Sequence, residues 1–296
     1  MRKWIALLLL VGAAGLLFWV PRSSSEESTG GFTDYKVISH AMGGINDHAY
    51  TNSYEAFIAN YEKGNRVFEV DLLLTEDGKL VARHEWTQHM TELLQQEDKL
   101  PKDRQAVRLS YEEFKQSKIL GAYDPLSWSD IMDLMERYPD IYIVTDTKEQ
   151  EPEDMKLELS LLVDSAKARD PQLLERVVPQ IYNQPMLGTV EGIYEFPSII
   201  YTLYATGDTD EEVIDFVSKH SIEAVTIPEQ RVTRAFLSKL KKAGVASYVN
   251  TINENADAGK LKRMGASGVY SDFLTEKEIG STSWLYALGM QSNSKQ

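Results

Sequence analysis

The sequence contains no cysteine among its 296 residues. This excludes disulfide bonds, thiolate nucleophiles, and zinc or iron–sulfur sites built on cysteine. Positive charge is also scarce, because 31 Lys and Arg residues face 45 Asp and Glu residues, for a formal net charge of −14. A field of that sign repels phosphate backbones, so nucleic acid is excluded as a partner.

Charged residues are absent from residues 4–20, which directly follow Arg2 and Lys3. This run lies at the short end of the roughly 17–25 residues that span a bilayer. A cleaved signal peptide usually has a shorter apolar core that ends in a small-x-small site, and no such site follows here. We therefore predict an uncleaved signal anchor over residues 1–22. A cleaved signal peptide is the main alternative, and a buried soluble helix is the third.

The anchor also predicts where the rest of the chain lies. Basic residues at the extreme N-terminus stay in the cytoplasm, which places the bulk of the chain outside. Residues 23–31 are small and polar, and residues 23–33 are expected to form a flexible linker. Residues 34–296 then form the catalytic domain of a single-pass protein of the cell membrane. The lack of cysteine agrees with export, because a free thiol is a liability there.

The domain alternates β-rich runs with helical segments, as parallel α/β folds do. Asp77-Gly78 joins the second and third β-rich runs as a hairpin. The remaining eight fit a (β/α)8 TIM barrel, which typically takes about 250 residues, with a β-hairpin flap after strand 2. A doubly wound open sheet is the alternative, weakened by the lack of a phosphate-binding glycine motif after the first strand. The predicted strands are 35–40, 66–75, 80–84, 141–147, 177–182, 199–205, 224–227, 245–252 and 268–271.

Helix ends are also readable. Ser53 is a candidate N-cap for a helix that stops at Gly64. Two capping boxes are present, Ser110 with Glu113 and Thr209 with Glu212. Residues 88–125 form a long insertion between the flap and the third barrel strand. Whether this insertion is a lid, a substrate-selecting cap or a surface subdomain is open from the sequence.

Ionisable residues cluster on the second strand and the hairpin. Glu69 and Asp71 share one face of the strand because side chains alternate. If Asp77-Gly78 is a two-residue turn, Asp71 lies directly opposite His84, and a bulge would shift this pairing by one residue. Two carboxylates at i and i+2 on a rigid strand suit a hard cation such as Mg²⁺ or Ca²⁺.

His40, Asp146 and Lys148 also lie at the ends of predicted strands. In a barrel, the C-terminal ends of all strands meet on one face, which is the face that carries the active site. Taken singly, a strand-end histidine or a Glu-x-Asp pair is usually structural or solvated. Their joint placement predicts a metal-assisted hydrolase. His48, His89 and His220 lack such placement and are interpreted as structural or surface residues. The residues predicted to ring the mouth are His40, Glu69, Asp71, Asp146 and Lys148, with His84 from the flap.

These residues resemble the signature of the glycerophosphodiester phosphodiesterases, which are TIM barrels related to phosphatidylinositol-specific phospholipases C. The likeness covers about residues 35–275. Its most specific part is the block around residues 69–84. The segments that carry it are His40, 51–57, 68–71, 75–81, 84–85, 143–148, 251–253 and 265–272.

The resemblance implies a role for each matching residue. His40 and His84 would be the general acid and base, and Glu69, Asp71 and Asp146 would bind a divalent cation, Ca²⁺ or Mg²⁺. Lys148 would add fixed positive charge, and Asn52 would help to bind substrate. The substrate would be a glycerophosphodiester, or a related phosphodiester of a lipid headgroup or the cell envelope. Imidazole suits acid–base work because it titrates near neutral pH.

Three positions depart from the family pattern. Ala41 stands where the family has an arginine, and arginine contacts phosphate in a bidentate manner that alanine cannot reproduce. Thr51 replaces a glutamate, and Asp146 replaces a longer glutamate ligand. These departures predict an altered phosphate pocket and leave two alternatives open. One is a catalytically weak barrel that binds an envelope glycan, lipid or protein, and the other is an enzyme whose substrate has shifted, for example to a phosphosphingolipid.

Overall fold

The computed structural model describes residues 31–148 and 152–279. Its strands are β1 (Val37–Ser39), β2 (Val67–Leu74), β3 (Leu80–Ala82), β4 (Tyr142–Asp146), β5 (Val177–Ile181), β6 (Ile200–Thr202), β7 (Ala224–Pro228), β8 (Ala246–Asn250) and β9 (Gly268–Ser271). Its α-helices are α1 (Tyr54–Glu62), α2 (Gln88–Leu93), α3 (Tyr111–Gln116), α4 (Trp128–Arg137), α5 (Pro152–Arg169), α6 (Gln184–Ile193), α7 (Asp210–Lys219), α8 (Arg234–Lys242) and α9 (Asn255–Met264). Short 3₁₀ turns cover Phe32–Asp34, His40–Met42, Lys102–Arg104, Pro171–Arg176 and Glu229–Arg231.

Eight of these strands run parallel and close into a barrel. β1 pairs with β9 on one side and with β2 on the other, so the two ends of the sheet meet. Closure leaves none of the eight parallel strands with an open edge. β3 pairs with β2, antiparallel to it, as the predicted hairpin flap. The predicted TIM barrel with its flap is therefore confirmed, and the open-sheet alternative is wrong.

The register of the hairpin differs from the predicted one. Leu72 lies opposite Ala82, and the backbone N–H of Arg83 donates to the carbonyl of Asp71 at 2.9 Å. The predicted pairing of Asp71 with His84 is therefore wrong by one residue, and Asp71 faces Arg83 instead. His84 lies beyond the last paired residue of the flap.

The turn of the hairpin explains this shift. The backbone N–H of Thr75 donates to the carbonyl of Lys79 at 2.9 Å, which leaves three loop residues rather than two. Gly78 closes the loop with a φ of +72°, the left-handed conformation that three-residue hairpin loops place at their last position. The same Asp-Gly pair thus serves a longer turn than the one predicted.

Strand alternation separates an inner and an outer apolar layer. Val67 of β2 packs with Ile38 and Val144 inside the barrel, whereas Phe68 and Val70 pack outward against the helices. Glu69 and Asp71 follow Val67 at intervals of two and therefore point to the interior near the C-terminal end of the strand. This alternation places both carboxylates above the inner apolar layer.

Phe32 lies at the other end of the inner layer. Its side chain is fully buried and packs in the same interior cluster as Ile38 and Tyr248. The hydroxyl of Tyr248 donates to the backbone carbonyl of Tyr35 at 2.8 Å, which ties this segment to β8. Phe32, although it falls within the predicted linker 23–33, therefore contributes to the barrel core.

The predicted helix signals are confirmed. The hydroxyl of Ser53 accepts the backbone N–H of Ala56 and caps α1, whose C-cap is Lys63, directly before Gly64. Both predicted capping boxes form, at the start of α3 and at the start of α7. Each satisfies N–H groups that the first turn of a helix leaves without partners.

The insertion 88–125 carries α2 and α3 and contains two small apolar clusters. The first, the Tyr50-side cluster, consists of Met90, Leu94 and Ile119, with Tyr50, Leu120 and Tyr123 packed against it. The second, the hairpin-side cluster, consists of Val81, Leu100, Leu109 and Phe114, with Trp86 and Tyr111 packed against it. The insertion is therefore an ordered layer against the barrel.

The predicted anchor 1–22 and nearly all of the predicted linker lie outside the described residues. Within residues 31–148 and 152–279, no helix combines the length and the apolar character needed to cross a bilayer. The anchor and the placement of the chain outside the cytoplasm therefore remain predictions.

Candidate active site

A cavity of about 390 Å³ opens at the C-terminal ends of the barrel strands. It brings together the predicted site residues at the ends of β1, β2 and β4 and the histidine that follows the flap strand. Asp71 lies beneath the cavity wall, fully buried. The predicted residues that line the cavity are His40, Glu69, His84, Asp146 and Lys148.

Glu69, Asp71 and Asp146 form a carboxylate triad. Each offers an oxygen within 4.8 Å of the others, and all three side chains are buried. Parallel pairing of β2 with β4 sets Asp71 directly beside Asp146. Glu69 Oε2 accepts the backbone N–H of Ala41 at 2.7 Å, whereas its buried Oε1 has no hydrogen-bond partner among the described residues.

The electrostatics of the triad fit a divalent cation. Burial and the neighbouring Asp71 raise the pKa of Glu69 to about 8, because a second buried anion beside Asp71 is costly. Burial likewise raises the pKa of Asp146. Hard cations such as Mg²⁺ and Ca²⁺ take oxygen ligands of this kind. The unpartnered Oε1 of Glu69 and the closeness of three buried carboxylates therefore fit a metal site at the predicted residues.

Lys148 supplies a positive charge to this triad. Its Nζ lies 2.6 Å from Asp71 Oδ1 and 2.6 Å from Asp146 Oδ2. Burial disfavours the charged ammonium, but the charges of Asp71 and Asp146 outweigh this effect and raise the pKa of Lys148 above its ordinary value. Lys148 thus compensates two of the three candidate ligands. Its contact with substrate remains a prediction.

Asn52 holds Asp71 in place. Its Nδ2 donates to Asp71 Oδ2 at 2.8 Å, and its Oδ1 accepts the backbone N–H of Asp71 at 3.2 Å. The side chain of Asn52 is fully buried, so it presents no surface to a substrate in this conformation. The structure gives Asn52 a positioning role beneath a candidate metal ligand, and its predicted contact with substrate remains untested.

His40 is held by a carboxylate from the last barrel strand. Its Nδ1 lies 2.8 Å from Asp272 Oδ1, and Asn253 Nδ2 donates to Asp272 Oδ2 at 2.8 Å. Burial alone would lower the pKa of His40. The hydrogen bond to Asp272, together with the acidic surroundings, outweighs burial and raises this pKa to about 9. His40 is therefore set up to carry a proton at neutral pH.

His84 has the opposite environment. Burial lowers its pKa and outweighs the charge of Asp71. Its buried Nδ1 has no hydrogen-bond partner within the described part of the chain. Two histidines whose environments push their pKa values apart can divide the roles of acid and base. His40 fits the proton donor, and His84 fits the proton acceptor.

The ring of Tyr50 contacts both histidines. Its centroid is 4.9 Å from that of His40 and 5.1 Å from that of His84. Both contacts are edge-to-face, with interplanar angles of 83° and 81°. Such aromatic pairs are favoured when centroids lie about 4.5–7 Å apart. One side chain therefore contacts both members of the candidate acid–base pair.

Family comparison agrees with this geometry. The sequence model of the Glycerophosphoryl diester phosphodiesterase family matches residues 43–276. The chain belongs to this family. Members of the family are phosphoric diester hydrolases, so the resemblance drawn from the motifs and the enzyme class it implied are both confirmed. No curated protein matches the chain in a sequence comparison.

Solved structures share the fold at low sequence identity. A protein of Silicibacter pomeroyi has a TM-score of 0.68 at 15% identity, over 84% of this chain and 94% of its own. A glycerophosphodiester phosphodiesterase of Parabacteroides distasonis has a TM-score of 0.64 at 15% identity, over 86% and 98%. An Oleispira antarctica phosphodiesterase, solved with the product sn-glycerol-3-phosphate, has a TM-score of 0.62 at 18% identity, over 83% and 95%.

Ala41 stands where the motif resemblance predicts an arginine. Its side chain is fully buried, and its φ of +48° lies in the left-handed region. Among the described residues no arginine lines the cavity. The ammonium of Lys148 on the cavity wall already pairs with Asp71 and Asp146, so a divalent cation would add the positive charge that an anionic diester needs.

Sequence reasoning missed several residues of the site, among them Asp272, Tyr204 and Tyr50. Asp272 follows β9, and the strand-end rule that identified His40 would have found it. Tyr204 lies two residues after β6, lines the cavity and is 49% exposed. Tyr50 lies in an irregular loop before α1, where no periodic pattern points to it. The surface interpretation of His89 and His220 agrees with their exposure, and His48 is partly exposed.

Proposed function

We propose that the chain is a metal-dependent phosphodiesterase that hydrolyses glycerophosphodiesters or related phosphodiesters of lipid headgroups or the cell envelope. The observation that carries this proposal is the buried carboxylate triad with His40 and His84 on the same cavity. Glu69, Asp71 and Asp146 would hold the divalent ion, which when bound neutralises negative charge on the phosphate oxygens.

The two histidines divide the proton transfers. His84 accepts the proton of the attacking hydroxyl or water as that oxygen forms its bond to phosphorus. His40 donates its proton to the departing alkoxide as the opposite P–O bond breaks. Asp272 favours the protonated form of His40 before the reaction and fixes the orientation of its ring. This division follows from the raised pKa of His40 and the lowered pKa of His84.

Support for a glycerol phosphate product comes from one neighbour. The Oleispira antarctica phosphodiesterase was solved with sn-glycerol-3-phosphate, and it shares this fold. Ala41 cannot make the bidentate phosphate contact of the arginine that the motif resemblance implies for this position. Calcium is a plausible ion for a site outside the cytoplasm, where it is abundant.

Hydrolysis assays test this proposal. Full-length protein is incubated with a panel of glycerophosphodiesters and with bis-p-nitrophenyl phosphate, each with Ca²⁺, Mg²⁺ or Mn²⁺. We expect turnover with at least one ion and a loss of about 10²–10⁴-fold in kcat in His40→Ala and in His84→Ala. His48→Ala, a histidine outside the cavity, should keep wild-type activity. Absence of turnover with every ion, or full activity in both cavity variants, would overturn the proposal.

We further propose that residues 1–22 anchor the enzyme in the cell membrane with its catalytic domain outside the cytoplasm. The support is the uncharged run 4–20 behind Arg2 and Lys3. Because the chain lacks cysteine, single cysteines report topology cleanly. A cysteine at exposed Ser218 should react with a membrane-impermeant maleimide in intact cells, and a cysteine at Lys3 should react only after lysis. The reverse pattern would contradict this orientation, and the mass of the purified chain tests cleavage.

A second candidate function is binding without efficient catalysis. Ala41, and the lack of an arginine on the described cavity wall, are the observations that favour it. The ligand would be an envelope glycan, a lipid or a protein partner. Calorimetry with sn-glycerol-3-phosphate and a divalent ion, run beside the hydrolysis panel, separates the two functions. Binding without turnover of any diester would favour this second function.

A further inference from the structure

The two candidate acid–base histidines come from separate parts of the fold. His40 follows β1, whereas His84 follows the flap strand β3. Asp272 fixes the ring of His40 through a hydrogen bond at 2.8 Å. His84 Nδ1 has no comparable hydrogen bond among the described residues. The orientation of His84 must therefore depend on packing.

Tyr50 provides packing that joins the two rings. Its ring contacts His40 at 4.9 Å and His84 at 5.1 Å between centroids, in nearly perpendicular arrangements. A flat, rigid ring in contact with both imidazoles restricts how they can move relative to each other. Removal of this ring would leave His84 free to rotate or to move toward His40.

Tyr50 is itself held by the insertion 88–125. It packs against the Tyr50-side cluster, whose members include Met90 and Ile119. The loop that carries Tyr50 is tied to the same insertion by a hydrogen bond of 2.6 Å from Asn46 Nδ2 to the hydroxyl of Tyr123. Tyr50 adopts a φ of +61°, a conformation that a bulky residue keeps only when its surroundings fix it.

We propose that Tyr50 is a positioning residue that sets the spacing of His40 and His84, and that the insertion acts on the reaction by holding Tyr50. This inference rests on the proposed roles of the two histidines. On this proposal the insertion does not act as a lid. It acts by packing against the Tyr50 ring, which in turn contacts both histidines. The ring of Tyr50, rather than its hydroxyl, carries this role.

Substitutions at Tyr50 test the proposal on the full-length protein. Tyr50→Leu removes the ring, and we expect kcat to fall by about 10–100-fold, as small misplacements of catalytic groups do, while KM changes by less than about 3-fold. Tyr50→Phe keeps the ring and should retain kcat within about 3-fold. A loss of activity in Tyr50→Phe equal to that in Tyr50→Leu would overturn the proposal.

The insertion provides a test variant and a matched control. Ile119 and Leu109 are each 1% exposed and belong to different clusters of the same segment. Ile119→Ala weakens the Tyr50-side cluster and should lower kcat, whereas Leu109→Ala weakens the hairpin-side cluster and should leave kcat unchanged. Equal losses in both variants would show a general effect of the insertion and overturn the specific link. Ile119→Val gives a milder version if Ile119→Ala fails to fold.

A spectroscopic measurement tests the inference independently of turnover. The chain has five histidines, so ¹⁵N-histidine spectra of the full-length protein are simple to assign with the His40 and His84 variants. We expect the His84 side-chain signals to shift or broaden in Tyr50→Leu and to stay near wild type in Tyr50→Phe. Unchanged His84 signals in Tyr50→Leu would overturn the inference. Failure of the proposed function would instead appear as absence of hydrolysis by the wild-type protein.

Discussion

His40 and Asp272 are 232 positions apart in the chain, yet His40 Nδ1 lies 2.8 Å from Asp272 Oδ1. Closure of the barrel produces this contact. Ser39 at the end of β1 pairs with Ser271 at the end of β9, so the residues that follow the two strands emerge side by side. The first and last strands of the barrel together build one half of the acid–base apparatus.

Replacement of Asp272 by asparagine should shift the pH dependence of the reaction. Without the carboxylate the protonated imidazole of His40 is less favoured, so its pKa falls from about 9. His40 must be protonated to act as the acid. The alkaline limb of kcat/KM should therefore move to lower pH, by about one to two units. Initial rates across pH measure this shift, with Asp208→Asn, whose carboxylate bonds Tyr201 and Gln184, as the control. An unchanged alkaline limb would show that His40 does not limit the rate there.

Lys148→Met should destabilise the protein in the absence of divalent ions. Loss of the ammonium leaves Asp71 and Asp146 buried without their counter-charge, and breaking a buried ion pair in this way costs about 3–5 kcal/mol of unfolding free energy. Addition of a divalent ion should then restore more stability to the variant than to wild type. Urea unfolding with and without the ion measures both effects.

Lys219→Met is the matched control for that experiment. Lys219 pairs with Asp215 on the exposed face of α7, where such pairs contribute about 0.3–0.5 kcal/mol. Similar losses in the two lysine variants would contradict a special role for Lys148 in the triad.

Glu69→Gln should weaken metal binding without destabilising the metal-free protein at neutral pH. Burial and Asp71 already raise the pKa of Glu69 to about 8, so glutamine replaces a side chain that is mostly protonated when no ion is bound. A ligand at 100 times its Kd stabilises a protein by about 2.7 kcal/mol, and this gain should shrink in the variant. Calorimetric titration and thermal unfolding measure the change. Exposed Glu229→Gln is the control, and equal ion affinity in Glu69→Gln and wild type would rule out Glu69 as a ligand.

Gly44→Ala should disturb the support of His40. A Cβ at Gly44 would overlap the ring of Phe273 and lie 2.9 Å from the carbonyl oxygen of Asp272, so the segment that carries Asp272 must move. We expect a loss of about 1–3 kcal/mol in stability together with a lower kcat. Gly188→Ala, in α6 with open space around it, should instead stabilise by about 0.5–1 kcal/mol. Melting curves and initial rates check both variants, and a wild-type kcat in Gly44→Ala would contradict the link to His40.

Local patterns predicted most of the barrel, because each depends on near neighbours in the chain. Alternation along β2 put Glu69 and Asp71 on one face, and turn residues marked the ends of strands and helices. The register of the hairpin was harder to predict from the sequence, because Asp77-Gly78 suits both a two-residue and a three-residue loop. The hydrogen bond from the backbone N–H of Thr75 to the carbonyl of Lys79 shows that the loop has three residues.

The sequence by itself determined the eight strands, the flap, the carboxylate triad and the two histidines, since strand ends of a parallel barrel share one face. Only the tertiary structure decided what holds these groups. Asp272 reaches His40 through barrel closure, Lys148 folds back onto Asp71 and Asp146, and Tyr50 reaches both histidines from an irregular loop. Such contacts join residues far apart in sequence or depend on one side-chain conformation, and neither leaves a periodic trace in the chain.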